Sequence, residues 1–172
     1  DAVQPVFAGT GSVDAAPVLT LATVLLMAGF GFKVAMVPFH MWAPDVYEGA
    51  PTPISGLLAA ASKKMGFAAF FKVFLIGLIV TKTDWQAAMG IMAIITMTVG
   101  NLIAVSQTNI KRMLAYSSVA QAGYLLIALP VATQYAVAGG LFHVLTHAFM
   151  KSGAFMVVAA MGAYSLIIEL SR

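Results

Sequence analysis

Cysteine is absent from the 172 residues, which excludes disulfides, cysteine-held iron–sulfur clusters, thiolate metal sites and a covalent haem motif. Charge is nearly as scarce: 9% of residues are Asp, Glu, Lys or Arg, against about 25% in soluble domains. Carboxylates are the rarest of all in the oily stretches, since Asp45, Glu48, Asp84 and Glu169 fall in loops or near the end. The net charge of +3 comes from cations within or beside apolar runs, not from a basic tail, so nucleic acid is excluded as a partner. What is abundant is apolar surface. With 61% hydrophobic residues and a mean hydropathy of +0.95, the chain reads as an all-α integral membrane protein in the lipid bilayer.

Counting about 20 residues per span at 1.5 Å rise predicts five transmembrane helices, at about 18–38, 54–80, 86–106, 112–130 and 136–163. The breakers PDVYEGAPTP, TKTDW, QTNIKR and PVATQ separate them. No Ser-rich or charge-rich linker divides residues 1–172, so a single domain is expected. Its opening, residues 1–17, lacks a basic stretch before an apolar core and reads as an extramembrane loop inside a longer protein. Lys111, Arg112 and Arg172 on one side against Lys82 on the other predict that the QTNIKR side is cytoplasmic, as in a multi-pass protein of a bacterial or archaeal cell membrane.

Against that oily background the lysines stand out, because an ionisable group inside a span normally faces a bundle interior or wet cavity and marks an ion path. Lys33 lies five residues before Pro38 and seven before His40. Two turns separate Lys33 from His40, so they share a face if the helix continues. Pro38 cannot donate to the carbonyl of Val34 and crowds it, so the first helix, broken near Pro38, should kink or open one residue beyond Lys33. A lysine, a broken helix and a histidine make a polar pocket at membrane depth; the plain alternative is a snorkelling lysine with Pro38 ending the span. In the second span Lys63 and Lys64 are adjacent and point about 100° apart. A desolvated lysine beside another cation is the arrangement reversible proton binding needs, and Lys63 is the stronger candidate, with the other lysine facing elsewhere. Lys72 reads as lipid-facing.

The fifth span carries His143, His147 and Lys151 at i, i+4 and i+8, a polar ladder on one helical face. Imidazole can both accept and donate a proton, which suits a relay; the plain alternative is histidines that bridge neighbouring helices. His-x-x-x-His also resembles zinc spacing, but the glutamate of a zinc protease is missing beside His143. Neither a metal nor a cofactor is expected to bind this chain. In the fourth span Ser117, Ser118, Gln121 and Tyr124 read mainly as helix-to-helix contacts, and Ala120, Ala122, Gly123, Gly139 and Gly140 as sites of close packing.

Three blocks, GFKVAMVPFHMWAPDVYEGAPTPISGLLAAASK, NLIAVSQTNIKRMLAYSSVAQAGYLLIAL and HVLTHAFMKSGAF, follow one another from about Phe30 to Phe155. In that order they resemble the central part of the antiporter-like membrane subunits of complex I and its relatives, nearest to the N-type subunit. The ladder His143, His147 and Lys151 looks more like the larger L-type subunit or the cation antiporters. The resemblance implies a fragment of a larger antiporter-like bundle that would not pump alone. It implies proton translocation coupled to quinone reduction, with quinone and redox cofactors in partner subunits and other membrane subunits as neighbours. Lys33 matches the lysine of the family's broken helix, His40 the histidine after it and Lys63 the lysine of the next helix. An archaeal dehydrogenase fed by reduced deazaflavin fits the same resemblance, as does, alternatively, a sodium/proton antiporter subunit.

Overall fold

A computed structural model describes residues 15–170, and they are almost wholly helical. In chain order the elements are α1 (Ala15–Val34), α2 (Trp42–Gly49), α3 (Thr52–Leu57), a π-helical turn (Leu58–Ser62), α4 (Lys63–Lys72), a second π turn (Val73–Gly77), a 3₁₀ turn (Ile79–Thr81), α5 (Lys82–Val105), α6 (Ile110–Leu126), α7 (Ala128–Val131) and α8 (Gln134–Leu170). The loop expected over 1–17 lies outside the described residues except for its last three, which open α1.

Four stretches are long and apolar enough to cross a membrane: Pro17–Val34, Ile79–Val105, Ile110–Val131 and Gln134–Ser165. The span expected over 54–80 is instead α3 and α4 joined and followed by π turns. It nevertheless runs from one end of the bundle to the other. At its start, Lys111 Nζ donates to Ala50 O at 2.8 Å, and Arg112 pairs with Asp45 and Glu48. Beyond its finish, Lys82 Nζ donates to Val131 O at 3.1 Å. The loops therefore alternate between two ends, as consecutive antiparallel helices require.

The break in the first span comes where the reading of Pro38 puts it, one residue beyond Lys33. α1 stops at Val34, and Ala35 turns left-handed at φ 57°. Ala35 N donates to Phe32 O at 3.1 Å and Met36 N to Gly31 O at 2.8 Å, the paired reverse bonds of a Schellman ending with alanine where glycine is usual. A non-glycine residue there costs about 1–2 kcal/mol, and the surroundings hold it: Trp42 Nε1 also donates to Phe32 O at 2.9 Å, and Val37 N to Thr96 Oγ1 at 3.1 Å. Freed backbone groups at depth thus find partners on α2 and α5, as a low-dielectric setting demands. The Val37–Pro38 peptide is cis. After the break, the segment read as a loop forms α2, seated on α6 by the ion pairs of Arg112.

Apolar and polar halves are segregated. Phe67, Phe70, Phe71 and Phe74 pack with Trp85, Met89 and Leu129 towards the Lys82 end, with Phe30 stacked on Phe70 at 5.0 Å. α5 and α6 meet almost backbone to backbone: a Cβ on Gly100 would lie 2.5 Å from Ala120 N, and one on Gly123 would lie 2.6 Å from Met97 N. Gly123 therefore packs as expected; a Cβ on Gly139 would meet open space.

Candidate functional site: a lysine and histidine chain between helices

Seven lysines and histidines are of interest, and α6 is the element that organises several of them. It presents Leu114 O, Ser117, Ser118 and Gln121 towards the helices on either side. Lys63, 2% exposed, donates to Ser118 O at 3.0 Å and to Ser118 Oγ at 3.2 Å. Lys151, 5% exposed, reaches the same helix from α8, donating to Leu114 O at 2.9 Å and hydrogen-bonding Ser117 Oγ. His143 Nε2 lies 2.7 Å from Gln121 Oε1; an amide oxygen only accepts, so the imidazole donates.

Lys64 is 8% exposed and does not face elsewhere, as the sequence suggested one of the pair would. The 100° between adjacent positions turns Lys63 to α6 and Lys64 to α8, where Lys64 Nζ is hydrogen-bonded to His147 Nδ1. While Lys64 is protonated it donates to Nδ1, and the N–H of a neutral His147 is then on Nε2. That atom is buried with no hydrogen-bond partner among the described residues. The rings of His143 and His147 lie parallel, with centroids 6.0 Å apart and an interplanar angle of 7°. The ladder seen in the sequence thus carries two hydrogen-bonded pairs, Gln121 with His143 and Lys64 with His147, with the two imidazoles parallel between them and Lys151 one turn further along α8.

Lys33 and His40 do not share a face, because α1 ends one residue after Lys33. Lys33 is exposed at the side of the bundle, and its Nζ donates to Ser62 Oγ at 3.2 Å, next door to Lys63. His40 is 6% exposed, with its ring edge-on to Tyr116 and neither ring nitrogen bonded to a side chain among the described residues. The pocket expected from lysine, break and histidine is therefore divided: Lys33 joins the lysines of the next helix, and His40 packs beneath α6.

The acceptors were the part sequence reasoning undervalued. Ser62, Ser117, Ser118 and Gln121 do hold helices together, but each does so by accepting a hydrogen bond from a lysine or histidine. The signal was present in their spacing, because Ser117 and Gln121 at i and i+4 share the face that an antiparallel neighbour must meet.

Taking an ammonium out of water costs several kcal/mol, and each hydrogen bond to a charged group returns about 1.5–3 kcal/mol. Here the return comes from hydroxyls, carbonyls and an imidazole. Among the described residues the ion pairs are those of Arg112, and none reaches Lys33, Lys63, Lys64 or Lys151. With no carboxylate to fix any one charge, the proton occupancy of each base sets the field felt by the next. Such a row can hold protons and pass them between neighbours.

Over residues 6–166 the sequence matches the family described as NADH:quinone oxidoreductase/Mrp antiporter, transmembrane. It is 57% identical over 150 residues to F(420)H(2) dehydrogenase subunit N of Methanosarcina mazei, covering 87% of this chain and 30% of that protein. It is 52% identical over 147 residues to NADH-quinone oxidoreductase subunit N of Heliobacterium modesticaldum, covering 85% of this chain and 31% of the relative. A chain of respiratory complex I from Thermus thermophilus, solved with bound aureothin, is similar in fold with a TM-score of 0.70 and 37% identity, over 88% of this chain and 32% of that one. The chain spans about a third of the length of these relatives. It belongs to the NADH:quinone oxidoreductase/Mrp antiporter family of membrane proteins.

Proposed function

We propose that this segment is part of a membrane subunit that translocates protons, coupled to quinone reduction by partner subunits of a complex I-type oxidoreductase. The observation that carries the reading is the set of bases held by neutral acceptors: the buried Lys63 to Ser118, Lys64 to His147 and Lys151 to Ser117, with the exposed Lys33 on Ser62 beside them. Each of these bases is hydrogen-bonded to a partner on another element, and a hydroxyl that accepts from one base can donate to another, so a proton can leave one group as another arrives. The curated relatives are named as subunits of NADH-quinone and F(420)H(2) dehydrogenases, which supports placing the redox chemistry, the quinone and all redox cofactors in partner chains. The segment supplies the proton path and no redox centre, and works only within the full assembly in a bacterial or archaeal cell membrane. Lys111 and Arg112 lie at the same end as the loop through Asp45 and Glu48, and this end is assigned to the cytoplasm.

In the full-length protein within its complex, Lys33→Met should leave assembly and electron transfer intact while proton uptake into vesicles falls sharply. Normal proton uptake would refute the assignment. The family description also names antiporters; sodium-dependent transport without electron transfer would favour that second reading.

A further inference from the structure

Lys33 is held differently from the other lysines, and the difference lies in the helix opposite. A Cβ built on Gly66 would sit 2.9 Å from Lys33 Cγ, 3.3 Å from Val34 Cγ1 and 3.8 Å from Lys33 Cβ. The atom nearest to it is the base of the lysine stem, fixed by α1, and not its mobile end. Gly66 is buried, and Ser62, which accepts from Lys33 Nζ at 3.2 Å, lies four residues before it on the same face. Ser62 is also the residue that precedes Lys63, whose Nζ goes to Ser118. The open side of Lys33 faces out of the described bundle.

We propose that Gly66 and Ser62 form a slot that positions Lys33: the missing side chain of Gly66 admits the lysine stem and the Ser62 hydroxyl fixes its head against the helix that carries Lys63. This deepens the proton-translocation reading and rests on it. Both are positioning residues, acting through Lys33. The serine hydroxyl has one proton to give and lone pairs to accept. It accepts from Lys33 while that amine is protonated and donates back once the amine is neutral, so the contact survives either state. Any side chain at position 66 pushes the stem off α4 and takes the head away from Ser62.

The test is a double-mutant cycle in the full-length protein within its complex, reading assembly, electron transfer and protons taken up per electron. Ser62→Ala changes one atom and keeps the packing; Gly66→Ala fills the slot. Each should cut protons per electron to half or less with assembly and electron transfer unchanged, and the double variant should be no worse than the weaker single, since both remove one contact. Losses that add, or that follow falling assembly, would make the pair a packing feature and overturn the proposal. So would full pumping by Ser62→Ala. A parallel Lys33→Met separates the two claims: if that variant loses pumping while both slot variants keep it, only the slot fails, and if Lys33→Met pumps normally the proton-path reading fails with it.

Discussion

Two groups of cations in this molecule solve the same problem in opposite ways. Arg112, at the exposed end of α6, has two carboxylates, Asp45 Oδ1 at 2.9 Å and Glu48 Oε2 at 2.6 Å, with Asn109 Nδ2 adding a bond to Glu48 Oε1 at 2.9 Å. Lys63, Lys64 and Lys151 are buried and have none, relying on Ser118, His147, Ser117 and carbonyl oxygens. The guanidinium keeps its charge always, and a permanent charge is well served by fixed counter-charges that clamp α2 to α6. A lysine that must exchange its proton is better served by partners that can accept or donate. The contrast separates a cation held by carboxylates from cations held by neutral acceptors.

The comparison breaks most visibly if a working lysine is given a structural cation's partner. Ser117→Asp places a carboxylate against Lys151 and pins its proton; proton uptake by the assembled complex should drop about tenfold, the rate equivalent of about 1.4 kcal/mol, while electron transfer continues. Next in size is removal of a neutral acceptor. His147→Phe keeps a flat ring but leaves Lys64 Nζ without its partner, costing about 1–3 kcal/mol, to be read as a lower midpoint in thermal unfolding of the purified complex together with weaker pumping. Smallest is the structural cation itself. Arg112→Gln loses exposed, salt-screened pairs, and protons per electron should stay as in the parent, with at most a slight loss of thermal stability that vanishes at high salt.

Much of this organisation was legible in the sequence, and the exceptions have physical causes. Length and hydropathy placed the long helices, because a bilayer fixes both. The ladder His143, His147 and Lys151 followed from the helical repeat alone. The place of the break, one residue beyond Lys33, was legible too, but nothing in alanine announces the left-handed turn at Ala35, whose stabilising bonds come from Trp42 and Thr96, distant in sequence. Lys64 was undervalued for a similar reason. Two adjacent lysines cannot share a direction, but whether the second meets lipid or another helix depends on α8 passing beside α4. The π turn Leu58–Ser62, immediately before that pair, has no composition of its own to reveal it. Acceptors such as Ser118 became recognisable only once the lysines that use them were in place.

The most direct test of the central claim is proton uptake by the Lys63→Met complex, measured beside its electron-transfer rate in the same vesicles. Lys63 is almost fully buried, between Ser62, which holds Lys33, and Ser118 on α6. A path through this row predicts electron transfer with proton uptake lost or nearly so. Unchanged protons per electron would mean that the buried lysines serve the fold alone, and the account would be wrong.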